Sequence, residues 1–183
     1  MGPAILPGQP DRDRPARYAV SEGRIPTRPL RLGRCEFAII NPETNGGKAC
    51  LVLGRKKGLP SESGRIPVNR TAAALWFLHA DDIGWNAADP VPVAAFTVYY
   101  RDGSTRDGEM INFNHVGDWR CPDSTFRSGD GYVAWHGYCK AHEPVALYAF
   151  QWRNPTPEKP MESITIRVKG NPAYMLVALT AEQ

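Results

Sequence analysis

The sequence predicts an all-β fold, an antiparallel β-sandwich or jelly roll of about ten strands, on three observations. Its apolar residues fall in short runs, and turn formers recur between them at intervals of about 8–15 residues. Seventeen Pro and seventeen Gly among 183 residues serve mostly as punctuation between these runs. No stretch of helical length shows a 3.6-residue period, and its only rival, residues 71–78, is too short and too aromatic.

Residues 1–28 are rich in Pro, Arg and Gly with hardly any periodic apolar pattern, and read as an extended or disordered arm. Residues 29–183 read as the sandwich domain. Within it, residues 35–40 (CEFAII) and 49–53 (ACLVL) are short strands separated by the turn-forming NPETNGGK. Residues 65–68 lead into residues 73–79 (AALWFLH), a nearly continuous apolar run suited to a strand buried on both faces. Residues 93–100 and 106–113 flank Asp102-Gly103, a dipeptide that tolerates the positive φ of a tight hairpin turn. Phe96, Val98 and Tyr100 alternate with Thr97, Tyr99 and Arg101, as a half-buried strand requires. Further strands fall at residues 132–136, 145–152, 163–168 and 174–180, with Ile164, Ile166 and Val168 on one face of the third.

A chain of this length buries roughly 70% of its unfolded surface and needs no metal or disulfide staple. The formal charge of +3 is unevenly spread. Residues 1–34 carry seven Arg against three acids, a net +4, which leaves −1 for the remainder. A nucleic-acid binder needs a basic face on its folded part, so nucleic acid is not an expected partner. No segment approaches the ~20 apolar residues of a membrane span. The first residues show neither the basic nor the apolar region of a secretory signal.

Cys35, Cys50, Cys121 and Cys139 lack metal-ligand spacing and read as buried thiols rather than disulfides. The four histidines, at positions 79, 115, 136 and 142, show no spacing that puts two on one strand face. No nucleophile elbow, phosphate loop or zinc-protease motif occurs, so no catalytic residue is assigned. Most acids lie in turns, where turn chemistry explains them. Such loop oxygens could hold a structural calcium ion, although no D-x-D-x-D loop is present, and no other cofactor is expected. Asn69-Arg70-Thr71 is an N-x-T sequon, expected by chance at this frequency.

The tryptophans are more informative. Trp76 and Trp152 lie inside apolar runs and read as core, whereas Trp85, Trp119 and Trp135 lie at strand ends or in polar loops. A Trp face suits the C–H face of a sugar ring, with neighbouring polar groups bonding the hydroxyls. The residues expected to contact a carbohydrate are Trp119, Trp135 and Tyr138, with Asp118 and His136 as polar partners.

The order INPETNGGKACLVLG (40–54), RIPVNRTAAALWFLHA (65–80), VYYRDGST (98–105), HVGDW (115–119), VAWHG (133–137) and LYAFQWRNPTPEKPMESITIRV (147–168) spans most of the domain. It resembles the non-catalytic galactose-binding-like β-sandwich domains of large bacterial glycoside hydrolases and related secreted proteins. The resemblance implies a secreted or periplasmic accessory domain of polysaccharide-degrading machinery. Its partner would be a polysaccharide or oligosaccharide, or a glycoside hydrolase catalytic domain against which it packs as a purely structural unit.

Overall fold

The computed structural model describes residue 25 and residues 27–84, 90–120, 130–139 and 143–183. The expected arm falls almost wholly outside these residues, as do Trp85, Cys121 and His142. In chain order the strands are β1 (Pro29–Leu32), β2 (Cys35–Ala38), β3 (Leu51–Leu53), β4 (Ile66–Arg70), β5 (Ala74–Asp81) and β6 (Pro92–Tyr100). They continue as β7 (Thr105–Ile111), β8 (Gly131–Tyr138), β9 (Pro144–Arg153), β10 (Met161–Val168) and β11 (Tyr174–Glu182). Among the described residues, one 3-10 turn at Pro42–Thr44 is the sole helical element.

Two antiparallel sheets face each other, one of four strands in the order β4-β10-β6-β7 and one of five in the order β3-β11-β5-β9-β8. Apart from the hairpins β6–β7 and β8–β9, the chain changes sheet at every connection from β3 onward. The β-sandwich expected from the sequence is therefore the observed architecture, with eleven strands among the described residues.

The central core follows from strand alternation. Phe96, Val98 and Tyr100 of β6 and Ile164, Ile166 and Val168 of β10 face Leu75 and Phe77 of β5. Phe77 packs on Phe96 with ring centroids 5.2 Å apart, and on Phe150 at 6.0 Å. Each such side chain contributes roughly 1.5–3 kcal/mol by leaving water.

Every residue of β5 is buried, as the unbroken apolar run predicts, and a second cluster explains its other face. Leu32, Cys35, Phe37 and Ile39 pack down on Trp76 and Leu78 from outside the sandwich. Leu32 belongs to β1 and Cys35 and Phe37 to β2, with Ile39 just after it; the two strands form a hairpin that pairs with neither main sheet. The hairpin turns at Gly33, with φ +61°, and the ring of Tyr132 occupies the space where a Cβ would stand. Tyr132 donates its hydroxyl to the Leu32 carbonyl at 2.8 Å, locking the turn onto β8. Ile25 also packs against this cluster.

Candidate functional site

At one end of the five-stranded sheet, β5 and β9 part company after the pair His79 and Tyr148. Residues 117–119 fill the gap like a short extra strand. Asp81 N–H donates to the Gly117 carbonyl (2.9 Å), Trp119 N–H to the Asp81 carbonyl (3.0 Å), and Ala146 N–H to the Trp119 carbonyl (2.8 Å). Gly117 is required there because the Tyr148 ring lies against its Cα, 2.5 Å from any Cβ. The Tyr148 hydroxyl in turn donates to the Asp118 carbonyl at 3.1 Å.

This insertion carries Trp119 to the outer face of the sheet, beside a pocket of about 940 Å³. Its floor is Val145 and Leu147 of β9, Met175 and Val177 of β11, and Trp135 of β8. Two bulges shape that floor, one in β8 between Val133 and Trp135 and one in β11 between Leu176 and Ala178. The Trp135 ring lies along its own strand over Gly137, in space that any side chain at 137 would take. The opposite wall is the connection from β2 to β3, with Ile40, Asn41, Glu43 and Cys50, joined by Thr27.

Asn41 caps the 3-10 turn by accepting the Glu43 N–H at 3.0 Å. That bond uses the carboxamide oxygen, so among the described residues its nitrogen has no partner. A pocket that is mostly apolar, with two aromatic rings and a few polar atoms on one wall, is the usual composition of a small-ligand site.

Of the five residues expected to contact ligand, the structure brings Trp119 and Trp135 together in this pocket. Asp118 is 3% exposed. Its carboxylate is spent on the Gly84 N–H (2.7 Å), the Arg120 N–H (2.8 Å) and the Arg120 guanidinium (3.3 Å), which makes it a brace for the Trp119 segment. His136 and Tyr138 do not line the pocket; strand alternation puts both on the face of β8 opposite Trp135. Tyr138 lies at the strand end and is exposed. The polar residues that line this pocket are Thr27, Asn41 and Glu43.

A buried polar group underlies this end of the sandwich. His79 accepts the Tyr174 hydroxyl proton at Nδ1 (2.8 Å) and donates from Nε2 to the His115 carbonyl (3.0 Å). Burial pushes its pKa down to about 3, so the ring is a neutral, fully satisfied core histidine. His115 stacks on Phe150 at 4.2 Å, and burial lowers its pKa as well. Asp81 accepts the Ile83 N–H at one carboxylate oxygen (3.1 Å), while the other is buried without a partner. Burial raises the Asp81 pKa to about 7, with the Asp118 and Asp82 charges adding to the rise.

Among the described residues no group of three or more His, Cys, Asp or Glu gathers as metal ligands would. Cys35 is buried, with its pKa pushed up to about 11 chiefly by that burial, whereas Cys50 is an exposed thiol at the pocket wall. Among the described residues no helix is long and apolar enough to cross a membrane. Comparison with protein-family models, with curated proteins and with solved structures finds no match to this chain.

Proposed function

We propose that this chain is a non-catalytic carbohydrate-binding module of a polysaccharide-degrading system, of the galactose-binding-like kind. The observation that carries the reading is the convergence of Trp119 and Trp135, from separate elements, in one open pocket faced by Asn41, Glu43 and Thr27. An aromatic floor stacks on the apolar face of a sugar ring, and polar atoms opposite take its hydroxyls. Among the described lining residues Glu43 is the sole carboxylate, and glycoside hydrolysis uses a facing pair. That supports binding rather than turnover.

The test is a glycan binding screen on the full chain, run beside Trp119→Ala. Trp119 is half-buried at the pocket, so its truncation is expected to weaken binding at least about tenfold while the domain stays folded. Trp135 is 5% exposed, so Trp135→Ala is expected to lose stability as well as ligand. Unaltered glycan binding by Trp119→Ala would remove this pocket from the reading.

The apolar part of the floor favours a second reading, a structural domain that packs against a glycoside hydrolase catalytic domain. Val145, Leu147, Met175 and Val177 exceed what a sugar ring needs, and Ile40 stands 44% exposed at the rim. A partner side chain could fill such a pocket. Silence across the glycan panel from demonstrably folded protein would favour this reading over the first.

A further inference from the structure

Beyond the far end of β3 the chain builds a second recess of opposite character. Residues 54–60 (GRKKGLP) form a loop closed on itself. The Gly54 N–H donates to the Pro60 carbonyl at 2.9 Å, and the Leu59 N–H to the Lys56 carbonyl at 3.1 Å. Gly58 takes a φ of +92°, and Leu59 packs against Gly54, whose Cβ would stand 2.9 Å from it. The closure presents Arg55, Lys56 and Lys57 in succession, each exposed.

Beside the loop lies a recess of about 450 Å³ lined by Arg55 and Arg167, with Ser61 between the loop and β10. Ser61 is fixed by the Val168 N–H, which donates to its carbonyl at 2.9 Å. Two of the local cations have acid partners, Lys56 with Asp82 at 3.4 Å and Arg167 with Glu62 at 3.1 Å. Both pairs are solvent-exposed, so they hold their cations weakly. Arg55, Lys57 and Lys169 have no acid partner among the described residues. The folded body carries no general positive charge, which makes this concentration of cations local.

We infer that this recess takes a carboxylate of an acidic polysaccharide, so that the glycan bound by the module is a polyuronate. The inference rests on the carbohydrate reading above and adds the ligand's charge. A guanidinium presents a planar fork that matches a carboxylate, and here two arginines and a serine line one small recess. The aromatic pocket reaches Cys50 and the basic recess begins at Gly54, on either side of β3. Four residues of extended chain span about 13 Å at ~3.3 Å each, a separation that a polymer of several rings bridges and a single sugar does not. Because β3 is the edge of its sheet, the path between the two lies along the side of the sandwich.

The experiment titrates the full chain with polygalacturonate and with the same polymer fully methyl-esterified, at low and high salt. The expected result is binding of the acid form at least about tenfold tighter than the ester, with the difference shrinking as salt screens the charges. Arg55→Gln is expected to abolish the difference while leaving ester binding intact, and Trp119→Ala to weaken both polymers. Equal affinity for acid and ester would overturn the inference and leave the carbohydrate reading standing. Binding of neither polymer by folded chain would overturn both. Equally tight binding of a single-stranded oligonucleotide, also lost in Arg55→Gln, would show an unselective polyanion patch and overturn the inference alone.

Discussion

The two outer faces of this sandwich have opposite chemistry. Outside the five-stranded sheet, Trp76, Leu78, Ala149 and Ala178 form an apolar layer beneath the β1–β2 hairpin. Outside the four-stranded sheet, Thr97 donates to Asp107 at 2.6 Å, the Tyr99 hydroxyl meets Thr165 at 3.5 Å, and Arg65 stands 3.8 Å over the Tyr99 ring. The polar face satisfies itself and needs no cover, while the apolar face would be an aggregation hazard without one. The difference shows why a 10-residue hairpin with no partner in either sheet is part of the fold. It also locates the pocket, which is the stretch of apolar face where the hairpin stops and the loop before β3 takes over as a looser wall.

The sharpest test of this contrast removes the hairpin's anchor. Phe37 is fully buried against the outer layer, so Phe37→Ala is expected to cost about 3–5 kcal/mol. Denaturant unfolding would measure it, and binding of an apolar dye to the native protein would report the uncovered face. A loss below about 1 kcal/mol would mean that the hairpin is ornamental.

A second effect, spread over about three pH units, concerns the pocket end of the covered face, where the Asp81 carbonyl holds Trp119. The folded pKa of Asp81, about 7, lies above its ordinary value of 3.8, so the stability it confers is present at low pH. That stability is lost as pH rises from about 4 to 7, by at most ~1.4 kcal/mol per unit. His79 runs the other way: its pKa falls from 6.5 to about 3, so its contribution is lost as pH falls through that window. Between about pH 4 and 6.5 the two oppose each other. Asp81→Asn is therefore expected to leave a stability that climbs with pH across this range, measured by denaturation midpoints at several pH values. A profile parallel to that of the parent protein would refute the assignment of the buried, unpartnered oxygen.

The smallest effect belongs to the bare face. Thr97→Ala removes an exposed hydrogen bond and is expected to change stability by no more than about 0.5 kcal/mol, leaving the thermal midpoint nearly unmoved. A loss comparable to that of Phe37→Ala would mean that this face, too, is covered in the working protein.

Most of the fold was legible because strand alternation and turn chemistry are local. The unbroken AALWFLH run correctly announced a strand buried on both faces, though not what would bury its second face. The cover escaped because β1, PLRL, is four residues long, carries an Arg and is stabilised by tertiary packing instead of propensity. Trp119 and Trp135 stand out in the sequence as aromatics outside the apolar runs, and the structure brings both to one pocket. Asp118 and His136 lie outside that pocket because Asp118 adjoins Trp119 and His136 adjoins Trp135, and neighbours in extended chain point to opposite faces. That Asn41 and Glu43 would line the same pocket was not legible in NPETNGGK, where turn chemistry was reason enough for both residues.

The hairpin's isolation has a kinetic consequence. All its ladder bonds are internal, and its ties to the body include the Tyr132 hydroxyl on Leu32 and the Thr180 hydroxyl on Glu36 at 3.0 Å. Contacts that join it to the sandwich are side-chain contacts, so it can lift away without breaking a single rung of either sheet. Such a unit is expected to open by itself, at a lower free energy than the whole, and hydrogen exchange would then show its amides exchanging while those of β5 stay protected. The fold thus combines a sandwich with a hairpin able to open separately from it, and the pocket wall, which comes from residues on either side of the hairpin, stays outside that unit.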